Sequence, residues 1–188
     1  MRVLALFLSI NMLLGVTGYY APYLMEENNL LENIQVLVLL LSMATFLYAS
    51  YKGRLTSIAV LCAVICLAFI LREIDIEKLQ LPQLVLVIFS GTGKYILMLL
   101  LIIPTSIWIL KNYRIDLLIE RFLVPFRQLA VFSIIFFALS WIFDKDVINT
   151  NYNMVFEELA ELNAYILIFI SSVLYNQKTV AQNIHNDY

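Results

Sequence analysis

A run of ionisable residues lies directly against a long apolar segment, where burying a charge is costly and usually serves a function. The run is LREIDIEK, residues 71–78, and the apolar stretch before it begins at Leu55. Arginine can bridge two carboxylates through its fixed fork of donors. Two neighbouring carboxylates can act as an acid and a base. The residue types therefore indicate ion pairing, proton transfer or cation binding.

Two further acidic runs also adjoin apolar stretches. They are MEENNLLEN, residues 25–33, and FEELAELN, residues 156–163. Both contain paired glutamates, a third glutamate and then an asparagine, which indicates either a duplicated two-helix unit or a chance similarity. In a helix, Asn28, Glu32 and Gln35 would share one face, so a polar stripe would continue into the apolar segment.

The composition is that of a membrane protein. Of the 188 residues, 62% are hydrophobic and 14% are charged, and the mean hydropathy is +0.87, far from the usual values of soluble domains. Cys62 and Cys66 are one helical turn apart in an apolar run, which argues against a secreted disulfide framework. Their ordinary role is packing as small hydrophobes.

We predict an all-α fold, a single integral membrane domain over residues 1–188 that forms a polytopic bundle of about six transmembrane helices. The first span also resembles a signal peptide, but the segment from Gly15 to Gly18 is a weak cleavage site before bulky Tyr19 and Tyr20. We therefore predict a retained first helix with these tyrosines at the membrane interface. The predicted spans are residues 1–18, 31–50, 55–71, 95–110, 128–143 and 156–175, followed by a polar tail.

Two connecting segments have their own character. Residues 79–94 contain an apolar segment, between Pro82 and the run SGTG, that is too short to cross the membrane. This pattern predicts an interfacial or re-entrant segment. GTGK, residues 91–94, lacks the upstream glycine and the following Ser or Thr of a phosphate-binding loop. Residues 111–127 alternate basic and apolar residues, which predicts a cytoplasmic amphipathic helix on the membrane surface.

The distribution of charge predicts that both termini are cytoplasmic, because short cytoplasmic loops are enriched in Lys and Arg. With that orientation most basic residues lie inside, and the outer connections are acidic. The inner basic residues are Arg2, Lys52, Arg54, Lys111, Arg114, Arg121, Arg127 and Lys178. The outer acidic residues are Glu26, Glu27, Glu32, Glu73, Asp75, Glu77, Asp144, Asp146, Glu157, Glu158 and Glu161.

Three acidic segments at one membrane face need a counter-charge, and Arg72 is the first internal candidate, with Lys94 the second. We expect Arg72 and Glu161 to lie in one polar network, directly or through Glu32 or Glu73, because an uncompensated buried charge is costly. The functional alternative is that the counter-charge is a metal ion, a proton or a charged substrate. The structural alternative is that the acids simply favour helix N-termini. The candidate substrate- or ion-binding residues are Glu32, Arg72, Glu73, Asp75, Lys94, Glu157, Glu158 and Glu161.

No metal site is predicted, and the sequence does not identify a cofactor. The sole histidine, His185, belongs to the polar tail, so a hydrolase built on histidine-bound zinc is not expected. Nucleophile pairs of the Ser-His or Cys-His kind are not expected either.

Three function hypotheses remain open. The first is a transport or binding role, in which an outward-facing acidic, polar cavity binds a cation or a polar headgroup. The second is an intramembrane enzyme that uses two carboxylates on a lipid or lipid-linked substrate. The third is an accessory subunit of a larger membrane complex. The expected partner in every case is the lipid bilayer of the plasma (inner) membrane, and nucleic acid is not expected.

Overall fold

The structure is a computed structural model that describes residues 2–21, 30–52, 56–74, 82–112, 124–148, 150 and 152–186. Within these ranges the chain forms seven helices and no strand, in agreement with the all-α prediction. The helices are α1 (Arg2–Tyr20), α2 (Leu30–Lys52), α3 (Thr56–Glu73), α4 (Gln83–Phe89), α5 (Gly91–Asn112), α6 (Val124–Asp144) and α7 (Asn153–Asn186).

Three of the described helices are long and apolar enough to cross a membrane. They are α2, the part of α5 over Gly91–Lys111, and the part of α7 over Asn153–Gln177. A fourth apolar stretch, Gln128–Asp144 of α6, is shorter.

The core lies between α2, α3, α6 and α7. Helix α7 packs against α6 and α2, and α2 packs against α3. At the edges of this core, α1 packs against α7 and α5 packs against α3. The buried positions of α2 recur every three or four residues, which places them on one stripe of the helix. They are Leu31, Gln35, Leu39, Ser42, Phe46 and Ala49.

Consecutive long helices run in opposite directions. The C-terminal ends of α1, α3 and α6 meet the N-terminal ends of α2, α5 and α7, and we call this the charged end of the bundle. The contacts there are the Tyr19–Tyr152 rings with centroids 5.6 Å apart, the Gln35–Glu158 hydrogen bond, the Arg72–Glu161 ion pair, the bond from Lys94 to the Arg72 carbonyl and the stacked Phe143–Phe156 rings.

The junction between α4 and α5 is more regular than predicted. Residues 83–89 and residues 91–112 are helical, so the span that was predicted to begin at residue 95 already begins at Gly91. Gly91 has a φ of +46°, a left-handed conformation that favours glycine. A Cβ on Gly93 would lie 2.1 Å from the carbonyl oxygen of Val87. The two glycines thus allow α5 to begin directly against the end of α4.

The polar tail predicted after residue 175 is helical in the structure. Helix α7 continues to Asn186 over 34 residues, or about 51 Å at 1.5 Å per residue. Residues 176–186 contain neither glycine nor proline, so nothing in the tail interrupts the helix that the apolar segment begins. The predicted amphipathic surface helix, residues 111–127, falls mostly on residues 113–123, which lie outside the described residues.

Candidate functional site

An ion pair joins α3 to α7 at the charged end of the bundle. Arg72 Nη2 donates to Glu161 Oε1, and Ser140 Oγ on α6 donates to the same oxygen at 2.7 Å. Glu161 is only 3% exposed, whereas the Arg72 side chain is 39% exposed. The Glu161 carboxylate therefore connects three helices from a buried position, and Arg72 covers it from the more open side.

Glu73, the last residue of α3, is bound on two sides. Arg72 Nε lies 3.7 Å from Glu73 Oε1, and the Tyr165 hydroxyl donates to that oxygen at 2.5 Å. The Tyr165 ring packs edge-on against Phe69 and Phe137, with centroids 5.6 and 5.4 Å away. Tyr165 therefore links the charged groups to the aromatic core between α3, α6 and α7.

Glu158 has a neutral hydrogen-bond partner and negatively charged neighbours. Gln35 Nε2 donates to Glu158 Oε2 at 2.8 Å and to the Glu158 carbonyl oxygen at 3.2 Å. The other amide atom, Gln35 Oε1, is buried and has no hydrogen-bond partner among the residues that the structure describes. The largest electrostatic interactions of Glu158 with charged residues are those with Glu161, Glu73 and Glu32, and all three are repulsive. A carboxyl group and an unsatisfied carbonyl oxygen thus lie side by side in the bundle.

We call Arg72, Glu73, Glu158 and Glu161 the charged cluster. Its three carboxyl groups are all at most 8% exposed, and a single guanidinium forms ion pairs with two of them. One positive charge neutralises one carboxylate, and burial of a further carboxylate without compensation is strongly unfavourable. Within the described part of the chain, the cluster therefore contains fewer positive charges than carboxyl groups.

Three of the remaining candidates, Glu32, Lys94 and Glu157, lie around this cluster. Lys94 Nζ donates to the Arg72 carbonyl oxygen at 2.7 Å, which satisfies a carbonyl at the C-terminus of α3. Glu32 is close enough to Glu73 to act on it electrostatically, and Glu157, which is half-buried, interacts with Glu161 in the same way. Asp75 lies outside the described residues.

Lys145 has a different setting from Arg72. Its ammonium lies 2.6 Å from Asp144 Oδ2 in an exposed pair beyond the end of α6. The hydrogen bond from Lys145 to Asp144 raises the pKa of the Lys145 ammonium. An exposed pair of this kind contributes little to stability.

Several members of the network were not predicted as site residues. Tyr165 and Ser140 lie inside apolar runs of the sequence. The only signal for them is that a buried hydroxyl group needs a hydrogen-bond partner. Asn11 of α1 and Asn163 of α7 exchange amide hydrogen bonds of 2.8 and 2.5 Å. Asparagines inside otherwise apolar helices are a usable signal for helix–helix contacts.

An apolar cavity of about 250 Å³ lies beside the aromatic core. Phe69 and Phe137, which stack with centroids 4.8 Å apart, line it, and both also contact Tyr165. Its other lining residues include Cys62, Cys66, Ser133 and Ser171. The cysteines are free thiols.

Among the residues that the structure describes, no three His, Cys, Asp or Glu side chains are arranged to hold a metal ion. Comparison of the chain with known protein families, with curated proteins and with solved structures finds no match. The possible chemistry of the charged cluster follows from its geometry and charge alone.

Proposed function

We propose that this chain is an integral membrane protein whose charged cluster binds a small cation, in a transport or binding role. The observation that carries the proposal is the Glu158–Gln35 contact. Glu158 is buried among like charges, and the neighbouring Gln35 Oε1 is a buried acceptor without a donor. A cation between these oxygens would satisfy both at once.

The chemistry favours a proton or a monovalent metal ion over a divalent one. Ca²⁺ takes about six to eight oxygen ligands, and Glu158 and Gln35 offer far fewer from their side chains. A proton on Glu158 needs only one acceptor, and Gln35 Oε1 can provide it when the side-chain amide rotates so that its oxygen replaces Nε2 beside Glu158 Oε2. A monovalent metal ion matches the single charge of Glu158, but it would need further oxygen ligands beyond these two groups.

The cluster is also suited to exchange its cation rather than hold it permanently. Arg72 is more than one-third exposed, so the cluster reaches the surface at the charged end of the bundle. Ionisable groups inside membrane helices commonly mark ion pathways and proton relays. We propose that the cation exchanges with the surrounding solution on the exposed side of Arg72.

We further propose six spans in the plasma membrane, with both termini cytoplasmic and the charged end outside. The alternating directions of α1, α2, α3, α5, α6 and α7 support this arrangement. Helices α1 and α3, with 19 and 18 residues, measure about 28 and 27 Å, close to the roughly 30 Å hydrocarbon core. A reporter fused after Tyr188 that proved external would contradict this topology.

The cation-binding proposal can be tested by thermal unfolding of the purified chain in detergent. Sodium, potassium and choline chloride would be compared at constant ionic strength and at several pH values. A bound cation stabilises the folded state according to its concentration relative to its dissociation constant. We expect one of the inorganic cations, or protons, to raise the unfolding temperature relative to choline.

The matched variants are Glu158→Gln and Glu157→Gln, which remove the same charge from adjacent positions on α7. Glu158→Gln should abolish the cation-dependent stabilisation, because it removes the charged oxygen beside Gln35. Glu157→Gln should retain the cation-dependent stabilisation, because Glu157 lies outside this contact. An unfolding temperature that is the same in all salts and at all pH values, or equal responses of the two variants, would contradict cation binding at Glu158.

A further inference from the structure

The apolar cavity beside the aromatic core contains one unsatisfied polar atom. Ser171 lines the cavity and is 3% exposed. Within the described part of the chain, its Oγ has no hydrogen-bond partner. Serines in membrane helices commonly donate to a carbonyl one turn earlier in their own helix. The neighbouring Ser172 satisfies its hydroxyl in a similar way, by donating to the Phe169 carbonyl at 2.7 Å. Ser171 therefore retains a donor at the cavity wall.

A second hydroxyl lies at the same wall. Ser133 of α6 is buried and lines the cavity, and it donates to the Ala164 carbonyl at 3.1 Å. Its proton is thus already used inside the bundle. Ser171 is consequently the hydroxyl whose proton is available to an occupant.

The cavity opens towards the outer surface of the bundle. Ile134 belongs to the lining, and 67% of it is exposed. In a membrane-embedded bundle, an apolar side chain exposed at this position faces the lipid. Apolar cavities of this kind do not take up water, so a lipid-phase molecule is the suitable occupant.

We propose that this cavity binds a lipophilic molecule that carries a carbonyl group, and that the Ser171 hydroxyl donates a hydrogen bond to that carbonyl. The apolar walls formed by Phe69, Phe137 and Ile134 accept the hydrocarbon chain. The carbonyl supplies the acceptor that Ser171 lacks within the bundle. This site lies apart from the Glu158–Gln35 contact and does not depend on cation binding there.

The size of the cavity agrees with a single narrow chain. Its volume of about 250 Å³ is slightly below the range of roughly 300 to 1,000 Å³ typical of small-molecule sites. A large polar headgroup would not fit inside it. The carbonyl of an acyl ester is a group of suitable size.

The test uses photochemical labelling of the purified full-length chain in detergent. One probe is a medium-chain fatty acid methyl ester with a diazirine at the chain end, and the other is the hydrocarbon of equal length with the same diazirine. Mass spectrometry of peptides would locate the labelled residues. We expect the ester to label peptides that contain Phe69 or Phe137 about fivefold more strongly than the hydrocarbon, the effect of one hydrogen bond.

Two serine variants separate recognition from simple partitioning into the cavity. Ser171→Ala should reduce labelling by the ester to the level of the hydrocarbon. Ser172→Ala changes the adjacent residue, whose hydroxyl is used within its own helix, and should leave the preference for the ester intact. Equal labelling of the native chain by both probes, or an unchanged preference in Ser171→Ala, would overturn the proposal.

A third variant tests the cavity itself. Ala130 lines the cavity, and Ala130→Phe should fill it and remove labelling by both probes. Unchanged labelling in this variant would show that the probes react from the lipid-facing surface, and would overturn the proposal. If Ala130→Phe fails to fold, the comparison of ester and hydrocarbon labelling on the native chain still tests the proposal. Loss of cation-dependent stabilisation in Glu158→Gln is a separate result and has no bearing on this preference.

Discussion

The Tyr165 hydroxyl donates a 2.5 Å hydrogen bond to Glu73 Oε1, which ties the middle of α7 to the last residue of α3. Both side chains are buried, Tyr165 completely so. The same phenol ring packs against two cavity-lining phenylalanines. One residue therefore contacts both the charged cluster and the cavity.

Substitution of Tyr165 by Phe should destabilise the chain by about 1 to 3 kcal/mol, because a buried carboxyl group loses its hydroxyl donor. The ring packing is retained, so the change isolates the hydrogen bond. Thermal or chemical unfolding in detergent measures the effect. Tyr152→Phe, at an exposed position, is the matched control and should be close to neutral; equal effects would show that the hydroxyl of Tyr165 is unimportant.

Substitution of Arg72 by Ala should be strongly destabilising, by about 3 to 5 kcal/mol, because it leaves the buried Glu161 carboxylate without its guanidinium. Folded yield and free energy of unfolding are the measurements. Lys145→Ala removes an exposed cation and should leave both unchanged. The double variant Arg72→Met with Glu161→Met should recover much of the loss, since apolar residues can replace a buried ion pair; no recovery would argue against the pairing.

The Asn11–Asn163 contact should hold α1 against α7. Asn163→Ala removes both hydrogen bonds between the side-chain amides. The free energy of unfolding should fall by about 0.6 to 1.7 kcal/mol, the range for a polar contact between membrane helices. Hydrogen–deuterium exchange in α1 should increase, while exchange in α3 stays constant. Thr17→Val, which changes a hydroxyl bonded within α1 itself, should not alter exchange; a similar increase there would rule out a specific role for Asn163.

The α4–α5 junction should tolerate no side chain at Gly93. Gly93→Ala places a Cβ 2.1 Å from one backbone oxygen and 2.8 Å from another, and overpacking of this kind costs about 1 to 3 kcal/mol. Gly15→Ala is the control, because its Cβ would meet only the Leu159 side chain at 3.9 Å. Unfolding temperatures should fall for Gly93→Ala alone. A tolerated Gly93→Ala would mean that α4 can shift away from α5 freely.

Hydropathy and the energetics of buried charge predicted much of the architecture. The predicted spans 31–50 and 55–71 correspond to Leu30–Lys52 and Thr56–Glu73 within a few residues, because a run of apolar residues sets the length of a helix in lipid. We predicted that Arg72 lies near Glu161 because a carboxylate removed from water needs a positively charged partner. Six spans and their orientation remain predictions.

The hydrogen-bond partners of side chains inside the bundle could not be predicted from the sequence. Tyr165 and Ser140 are hydroxyls within apolar runs, and the rotation of each helix decides whether they meet Glu73, Glu161 or lipid. That rotation depends on packing between helices far apart in the chain. The continuation of α7 to Asn186 was also missed, because a polar composition does not by itself end a helix that has already begun.

The Arg72–Glu161 pair has a consequence for biosynthesis. The two residues are 89 positions apart, so at about 5 to 20 residues per second the ribosome needs roughly 4 to 18 s to make the second after the first. During that interval the Arg72 guanidinium of a nascent chain has the adjacent Glu73 beside it but lacks the Glu161 carboxylate of α7. The first helices therefore remain incompletely assembled until α7 emerges. A message truncated before α7 should yield a chain that cellular proteases recognise and remove.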